Sequence, residues 1–232
     1  MRPALLQWRG ITIWSYPAML YLGLVAGVFA GNSAAHAAGL DAFHVFVATL
    51  ILIGPAIAGA RLLYVASNWQ AYRSNLARIW DRREGGMAML GGLPVALVIS
   101  LPLLSALQLD FGAFWDVAVF TMLVGTIFAR AGCLLNGCCA GRPSKSWLAV
   151  YLPNATGVWE RRLPTQCMEA AWAGVLLAAA FALRSRAPFP GALFLCVLLG
   201  YGAGRLVLQW TRESKRAGPS SYEPYPITMK RF

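Results

Sequence analysis

Charge is what this chain has least of. Only 12% of its 232 residues are Asp, Glu, Lys or Arg, about half the roughly 25% of an ordinary soluble domain. The shortage falls in blocks. No charged residue lies between Arg9 and Asp41, between Asp41 and Arg61, between Glu84 and Asp110, or between Arg186 and Arg205. Each gap is close to the ~20 mostly apolar residues that a helix needs to cross a bilayer. With 58% hydrophobic residues and a mean hydropathy of +0.57, this excludes a soluble globular domain. Histidine is also scarce: His36 and His44 lie between the first two apolar runs and read as interfacial or helix-packing residues. No repeat or low-complexity tract is present.

Apolar runs of this length imply helices, because backbone groups in lipid must be satisfied within the segment. The expected spans are Trp14–Gly31, Phe43–Ala66, Met87–Leu107, Phe114–Arg130, Gln166–Leu183 and Phe189–Gln209. The fold class is therefore an all-α integral membrane protein with about six transmembrane helices, read as one polytopic domain over 1–232. A polar insert from about 131 to 165 separates the fourth and fifth spans. It reads as a small extramembrane head in which Trp147–Tyr151 has strand character. Residues 211–232 form a polar C-terminal tail. Arg2, Arg9, an apolar run and Ala35-His36-Ala37 imitate a cleavable signal peptide. The run is long for one and further spans follow it, so a retained first span is expected.

What charge there is has one sign. The net charge is +11, which in a soluble protein would suggest nucleic acid. Beside membrane spans it points to anionic lipid, and no nucleic-acid partner is expected. Arg61, Arg130 and Arg205 lie in or at the ends of spans, against Glu169 and Asp116. Ionisable groups at that depth are costly and pair or line a polar cavity. If Glu169 takes one arginine, a cation remains that suits a phosphodiester, which guanidinium binds bidentately. The bland alternative is snorkelling to the interface. Tyr201 and Arg205 stand four apart and share a helical face.

Several patches then align with one family. They are Gly59-Ala60-Arg61-Leu62, Gly85-Gly86-Met87 with Gly91-Gly92-Leu93, Arg130-Ala131-Gly132, Asn136-Gly137 and Gly141-Arg142. Arg162-Leu163-Pro164-Thr165-Gln166 with Glu169, and Tyr201 with Arg205, complete the series. In order and spacing this resembles bacterial prolipoprotein diacylglyceryl transferase, over about residues 10 to 212. The resemblance implies transfer of the diacylglyceryl group of phosphatidylglycerol to the lipobox cysteine thiol of a prolipoprotein, in the bacterial inner membrane. It implies catalytic roles for Arg130, Arg205, Glu169 and Tyr201. Lipid contacts are implied for Tyr16, Arg61, Gly91, Gly92, Asn136 and Gly141, with no cofactor. The glycines have an equal reading as helix-packing residues.

Three departures accompany the resemblance. The family's His-Gly-Gly reads Leu90-Gly91-Gly92, so the histidine assigned to thiol activation is missing. An asparagine and a glutamate of the signature are replaced by Cys133 and Cys138. The family's seventh helix has no apolar counterpart after Thr211.

Cys133, Cys138 and Cys139 form a possible thiol site; a disulfide is open to them if this face is oxidising, though adjacent cysteines rarely pair with each other. Their spacing is not that of a structural zinc site and no histidine adjoins them, so no metal is expected. A cysteine attacking the glycerol carbon would end as a thioether, a dead end. Attack on the fatty ester would give a usable thioester. A cysteine-dependent lipid acyltransferase and a non-catalytic anionic-phospholipid-binding protein therefore stand as alternatives to the transferase. Cys167 and Cys196 read as small apolar core residues.

Orientation divides two arguments. Nearly all loop Lys and Arg would share the side of the Cys-rich head, with Arg184 and Arg186 opposite, so the positive-inside rule puts the head in the cytoplasm. The resemblance implies the outer face, where acceptor proteins emerge.

Overall fold

The computed structural model describes residues 4–8, 11–73, 79, 89–153 and 158–212. In chain order the elements are β1 (Ala4–Trp8), β2 (Ile11–Trp14), α1 (Ser15–Ala37), α2 (Ala42–Ser67), α3 (Trp69–Tyr72) and α4 (Met89–Ala106). They continue with α5 (Phe111–Asn136), β3 (Val150–Pro153), β4 (Trp159–Arg162), α6 (Thr165–Leu183) and α7 (Ala192–Gln209). Among the described residues the fold is all-helical apart from two antiparallel hairpins, β1–β2 and β3–β4. Among the described residues α1, α2, α5, α6 and α7 are long and apolar enough to cross a membrane, and α4 is a shorter apolar helix. This is a multi-pass membrane protein. The residues group into two compact units, Met1–Leu50 with Leu101–Glu213, and one containing Ile51–Ser100.

The first unit is built on a glycine seam. Gly23, Gly27 and Gly31 recur every four residues and put one face of α1 flat against α5. A Cβ at Gly27 would lie 2.7 Å from the Thr121 carbonyl oxygen, and one at Gly23 2.6 Å from Phe128 Cβ. Small residues supply such close approach where lipid offers no hydrophobic drive. Tyr21, Val25 and Phe29 repeat with the same step, offset by two, and so occupy the opposite face; they are 71%, 69% and 74% exposed. That face of α1 is apolar and exposed.

Polar side chains set the helix ends. Asp41 Oδ1 accepts from the backbone N–H of Phe43 and His44 at the start of α2, and Asp110 accepts from Ala113 N–H at the start of α5. The α7 start has no cap of its own. Asp116 of α5 supplies it, accepting from Gly191 N–H at 2.7 Å and Phe194 N–H at 2.8 Å. A carboxylate there meets both the free N–H groups and the positive helix end. The membrane-level aspartate is thus a structural pin between α5 and α7. Leu123 of α5 packs with Ala173 and Leu176 of α6, flanked by Trp172, Val197 and Tyr201.

In the second unit, Gly59 of α2 meets Gly91 of α4. A Cβ on Gly91 would fall 2.4 Å from the Gly59 carbonyl oxygen, and one on Gly92 2.7 Å from that of Ala56.

The expected spans recur with shifted ends. The first helix runs to Ala37, so Ala35-His36-Ala37 is helical, and the N-terminal hairpin before it carried no readable signal. The fourth span was expected to stop at Arg130. It continues to Asn136, because nothing opposes the helix until Gly137 turns left-handed at φ 76°. The head therefore begins at Gly137 rather than 131. Its strand is Val150–Pro153, paired with Trp159–Arg162, three residues later than Trp147–Tyr151 at its start. Gly85, Gly86, Met87, the side chain of Leu90 and the tail from 213 lie outside the described residues.

Candidate active site

The site forms where α5 ends, α6 begins and α7 ends. The α5 terminus is a Schellman turn: Cys138 N–H reaches Cys133 C=O at 3.0 Å, and Gly137 N–H reaches Leu134 C=O at 3.2 Å. That motif brings the side chain after the glycine over the one five residues earlier. Here those side chains are the Cys138 and Cys133 thiols. Cys139 is also left-handed, at φ 64°, and folds back, so the three Sγ atoms lie within 4.8 Å of one another. Cys133 is buried and Cys139 exposed. The chain then passes Gly141, whose Cβ would strike Thr165 Oγ1 at 2.3 Å and the Thr211 carbonyl oxygen at 2.5 Å. Only a bare backbone fits where the head, α6 and the end of α7 converge.

Glu169, one turn into α6 and 4% exposed, is the centre. Arg130 Nε lies 2.6 Å from its Oε2, a charge contact rather than an aligned hydrogen bond. Arg205 Nη1 and Arg212 Nη2 both donate to Oε1, the latter at 2.9 Å. Arg130 also reaches the Tyr201 hydroxyl. One carboxylate thus faces three guanidiniums, a surplus of two positive charges. Arg130 is 8% exposed, whereas the side chains of Arg205 and Arg212 are 30% and 34% exposed. The surplus therefore opens outward along α7. Removing one member of a buried ionic group is far more costly than keeping it complete, which ties the three segments together.

Other buried polar groups frame this cluster. Gln166 donates from Nε2 to the Cys138 carbonyl at 2.6 Å. Its Oε1 and the Nε of Arg212 are buried without a hydrogen-bond partner among the described residues, an acceptor and a donor left for something else. Arg162 of β4 is 2% exposed; it donates to Glu160 and, at 3.0 Å, to the Gly141 carbonyl. It stiffens the head and is no part of the surplus. Tyr16, in the first turn of α1, stands within electrostatic range of Arg130 and the three thiols, and a Cβ at Gly132 would lie 3.4 Å from its ring carbon Cδ2. Asn136 stands beside the Cys138 thiol, which donates to the Cys133 carbonyl at 3.6 Å. Hydrogen bonds from Cys133 and Cys138, then the charges of Arg130 and Arg212, hold the Cys139 thiol below its ordinary pKa.

The structure thus brings together Tyr16, Arg130, Asn136, Gly141, Glu169, Tyr201, Arg205 and the three cysteines. Arg61, Gly91 and Gly92 belong to the other unit. Arg61 donates to the Ile79 carbonyl at 2.8 Å and lies 5.8 and 5.7 Å from the Tyr64 and Tyr72 ring centres. Arg212 was missed in the sequence, and Gln166, though part of a quoted motif, was given no role. Arg212 follows Arg205 by seven residues, two helical turns, but sits in what reads as a polar tail. A groove of about 660 Å³ lies elsewhere. Leu24, Val28, Asn32, His36, Phe46 and Leu50 line it, and His36 is ~30 Å along α1 from Tyr16 at 1.5 Å per residue.

The structure is, as a class, a multi-pass membrane protein with a surplus of guanidinium charge gathered where α5 and α7 end and α6 begins. The chain belongs to the prolipoprotein diacylglyceryl transferase family, whose profile it matches over residues 3–230. It is 26% identical over 226 residues to the phosphatidylglycerol–prolipoprotein diacylglyceryl transferase of Clostridium tetani (strain Massachusetts / E88), covering 95% of this chain and 89% of that one. It is likewise 26% identical over 217 residues to the enzyme of the same description from Streptococcus pyogenes serotype M5 (strain Manfredo), covering 91% and 84%.

Proposed function

We propose that this chain transfers the diacylglyceryl group of phosphatidylglycerol to a cysteine thiol of a prolipoprotein, in the inner membrane of a bacterium. The observation that carries the reading is the cluster of three arginines on Glu169. Phosphatidylglycerol brings one phosphodiester charge, and a zwitterionic lipid brings none in net, so the surplus favours the former.

The geometry suits the reaction as follows. Arg205 and Arg212 hold the phosphate oxygens from the open side, and the spare Nε–H of Arg212 adds a donor. Gln166 Oε1 is placed to accept from a glycerol hydroxyl. The acceptor sulfur attacks the glycerol carbon that bears the phosphodiester. A C–S bond forms, the C–O bond breaks, and glycerol phosphate departs with the electron pair. Charge then grows on the leaving phosphate, where preorganised donors count most. Glu169 keeps the guanidiniums in place and is not spent as a base. We assign Tyr16, Tyr201 and Asn136 to orienting the lipid, and Arg61, Gly91 and Gly92 to the lipid-bearing side of the second unit. Family membership favours neither pure lipid binding nor acyl transfer.

The test is mass spectrometry of a lipobox-cysteine peptide incubated with the purified chain and phosphatidylglycerol. The peptide should gain one diacylglyceryl mass, with glycerol phosphate released in equal amount. A gain of a single acyl group, or no gain, contradicts the reading.

A further inference from the structure

The transferase reading leaves the acceptor thiol without an activating base, since Leu90 stands where the resembled family carries histidine. It also leaves three thiols without a role beside the arginines. The two gaps have one solution. We propose, resting on that reading, that Cys133, Cys138 and Cys139 bind a zinc ion whose open fourth position takes the acceptor cysteine thiol.

The geometry is that of a three-ligand site. All three Sγ atoms lie within 4.8 Å of one another. A zinc ion ~2.3 Å from each sulfur needs sulfurs about 3.8 Å apart, so shifts under about an ångström close the site. The linear spacing argues against zinc, but the fold supplies what the spacing lacks. The Schellman turn stacks Cys138 on Cys133, and the left-handed Cys139 brings in the third thiol. An L-residue in that conformation costs about 1–2 kcal/mol, and an ordinary helix ending needs it only at the glycine. Among the described residues no fourth Cys, His, Asp or Glu joins the group. Structural zinc sites are closed by four protein ligands, whereas catalytic ones keep three and an open position. The exposed Cys139 marks the open side.

Charge and chemistry agree. Before the acceptor binds, three thiolates with a divalent ion carry one negative charge, and a bound phosphodiester carries another; the acceptor thiolate then adds a third. The first two match the two surplus positive charges around Glu169. A thiol that coordinates zinc is deprotonated outright, which is the task of the missing base. The acceptor thiol loses its proton to solvent as its sulfur takes the fourth position. That sulfur attacks the glycerol carbon, the C–S bond replaces the C–O bond, and the neutral thioether, a weaker ligand, leaves. No electron is gained or lost by the protein. The enzyme cysteines stay bound and never enter the dead-end thioether.

The experiment uses the full-length chain, reduced and purified in detergent, loaded with zinc for stoichiometry and with cobalt(II) as a spectroscopic stand-in. One zinc per chain is expected, bound at least about tenfold more weakly in Cys133→Ser, Cys138→Ser and Cys139→Ser. The sulfur-to-cobalt absorption should grow when a lipobox-cysteine peptide is added, and stay constant with the same peptide carrying serine. This readout needs no variant and so survives a misfolded mutant. Equal zinc in the triple serine variant, or a cobalt spectrum indifferent to the cysteine peptide, overturns the proposal. Undiminished transfer after metal removal also overturns it and leaves the transferase reading intact. A cobalt response to the peptide without any transfer supports the site and removes the transferase reading.

Discussion

Arg212 donates to Glu169 Oε1 at 2.9 Å across 43 residues of sequence, and this contact turns a buried ion pair into a cationic site. Without it Glu169 would leave one positive charge over; with it, two. Arg212→Ala should weaken retention of phosphatidylglycerol by about 1.5 kcal/mol, roughly tenfold, the lower end for a hydrogen bond to a charged group because the side chain is partly exposed. Native mass spectrometry with phosphatidylglycerol and phosphatidylethanolamine in competition measures this. Unchanged selectivity would mean that Arg212 serves Glu169 alone.

Glu169 is the only acidic side chain ion-paired in that cluster among the described residues, so its loss is felt as stability. Glu169→Gln leaves buried guanidinium charge uncompensated and should cost about 3–5 kcal/mol. Added phosphatidylglycerol should restore part of it by supplying the missing anion. Thermal unfolding in detergent, with and without that lipid, reads both effects. A variant as stable as the parent in both conditions would show that the carboxylate does not neutralise the cluster.

The α1–α5 seam makes a prediction independent of charge. Gly27→Ala places a methyl group 2.7 Å from the Thr121 carbonyl oxygen and should destabilise by about 1–3 kcal/mol, the usual cost of overpacking. Gly174→Ala on α6, where a Cβ meets nothing within 4 Å, is the control and should be neutral or slightly stabilising. Equal melting temperatures for the two variants would show that α1 is not held by close backbone approach.

How much of this was legible follows from what sequence encodes. Uncharged runs are a direct record of lipid as solvent, so the spans from Ser15 to Gln209 could be read with errors only at their ends. Those errors came from judging helix ends by charge. Arg130 does not stop α5, because a paired arginine is tolerated inside, and Gly137 does. Glu169, Arg130 and Arg205 stood out because ionisable groups at that depth demand partners. Arg212 did not, since beyond α7 a cation looks like any solvated tail residue, and only the fold returns it to Glu169. The thiol cluster was hidden for a similar reason. Two left-handed residues, Gly137 and Cys139, create it, and a linear spacing does not record backbone handedness.

The head should face outward, against the positive-inside rule, because Arg162 within it is engaged by Glu160, and Arg130, Arg205 and Arg212 beside it by Glu169, so these cations need not report orientation. A cysteine introduced at Ser146, in a background lacking the native cysteines, should react with an impermeant maleimide on intact spheroplasts. Labelling only after lysis would place the head in the cytoplasm.

The central claim is that the guanidinium surplus held by Glu169 stabilises the departing glycerol phosphate, and turnover by Arg205→Ala at saturating phosphatidylglycerol tests it most directly. Preorganised donors to a developing anion are each worth about 10²–10³ in kcat. The account predicts a loss of that size in diacylglyceryl transfer to the lipobox peptide, with phosphatidylglycerol still bound and Arg205→Lys only partly restoring the rate. Wild-type turnover by Arg205→Ala would contradict it.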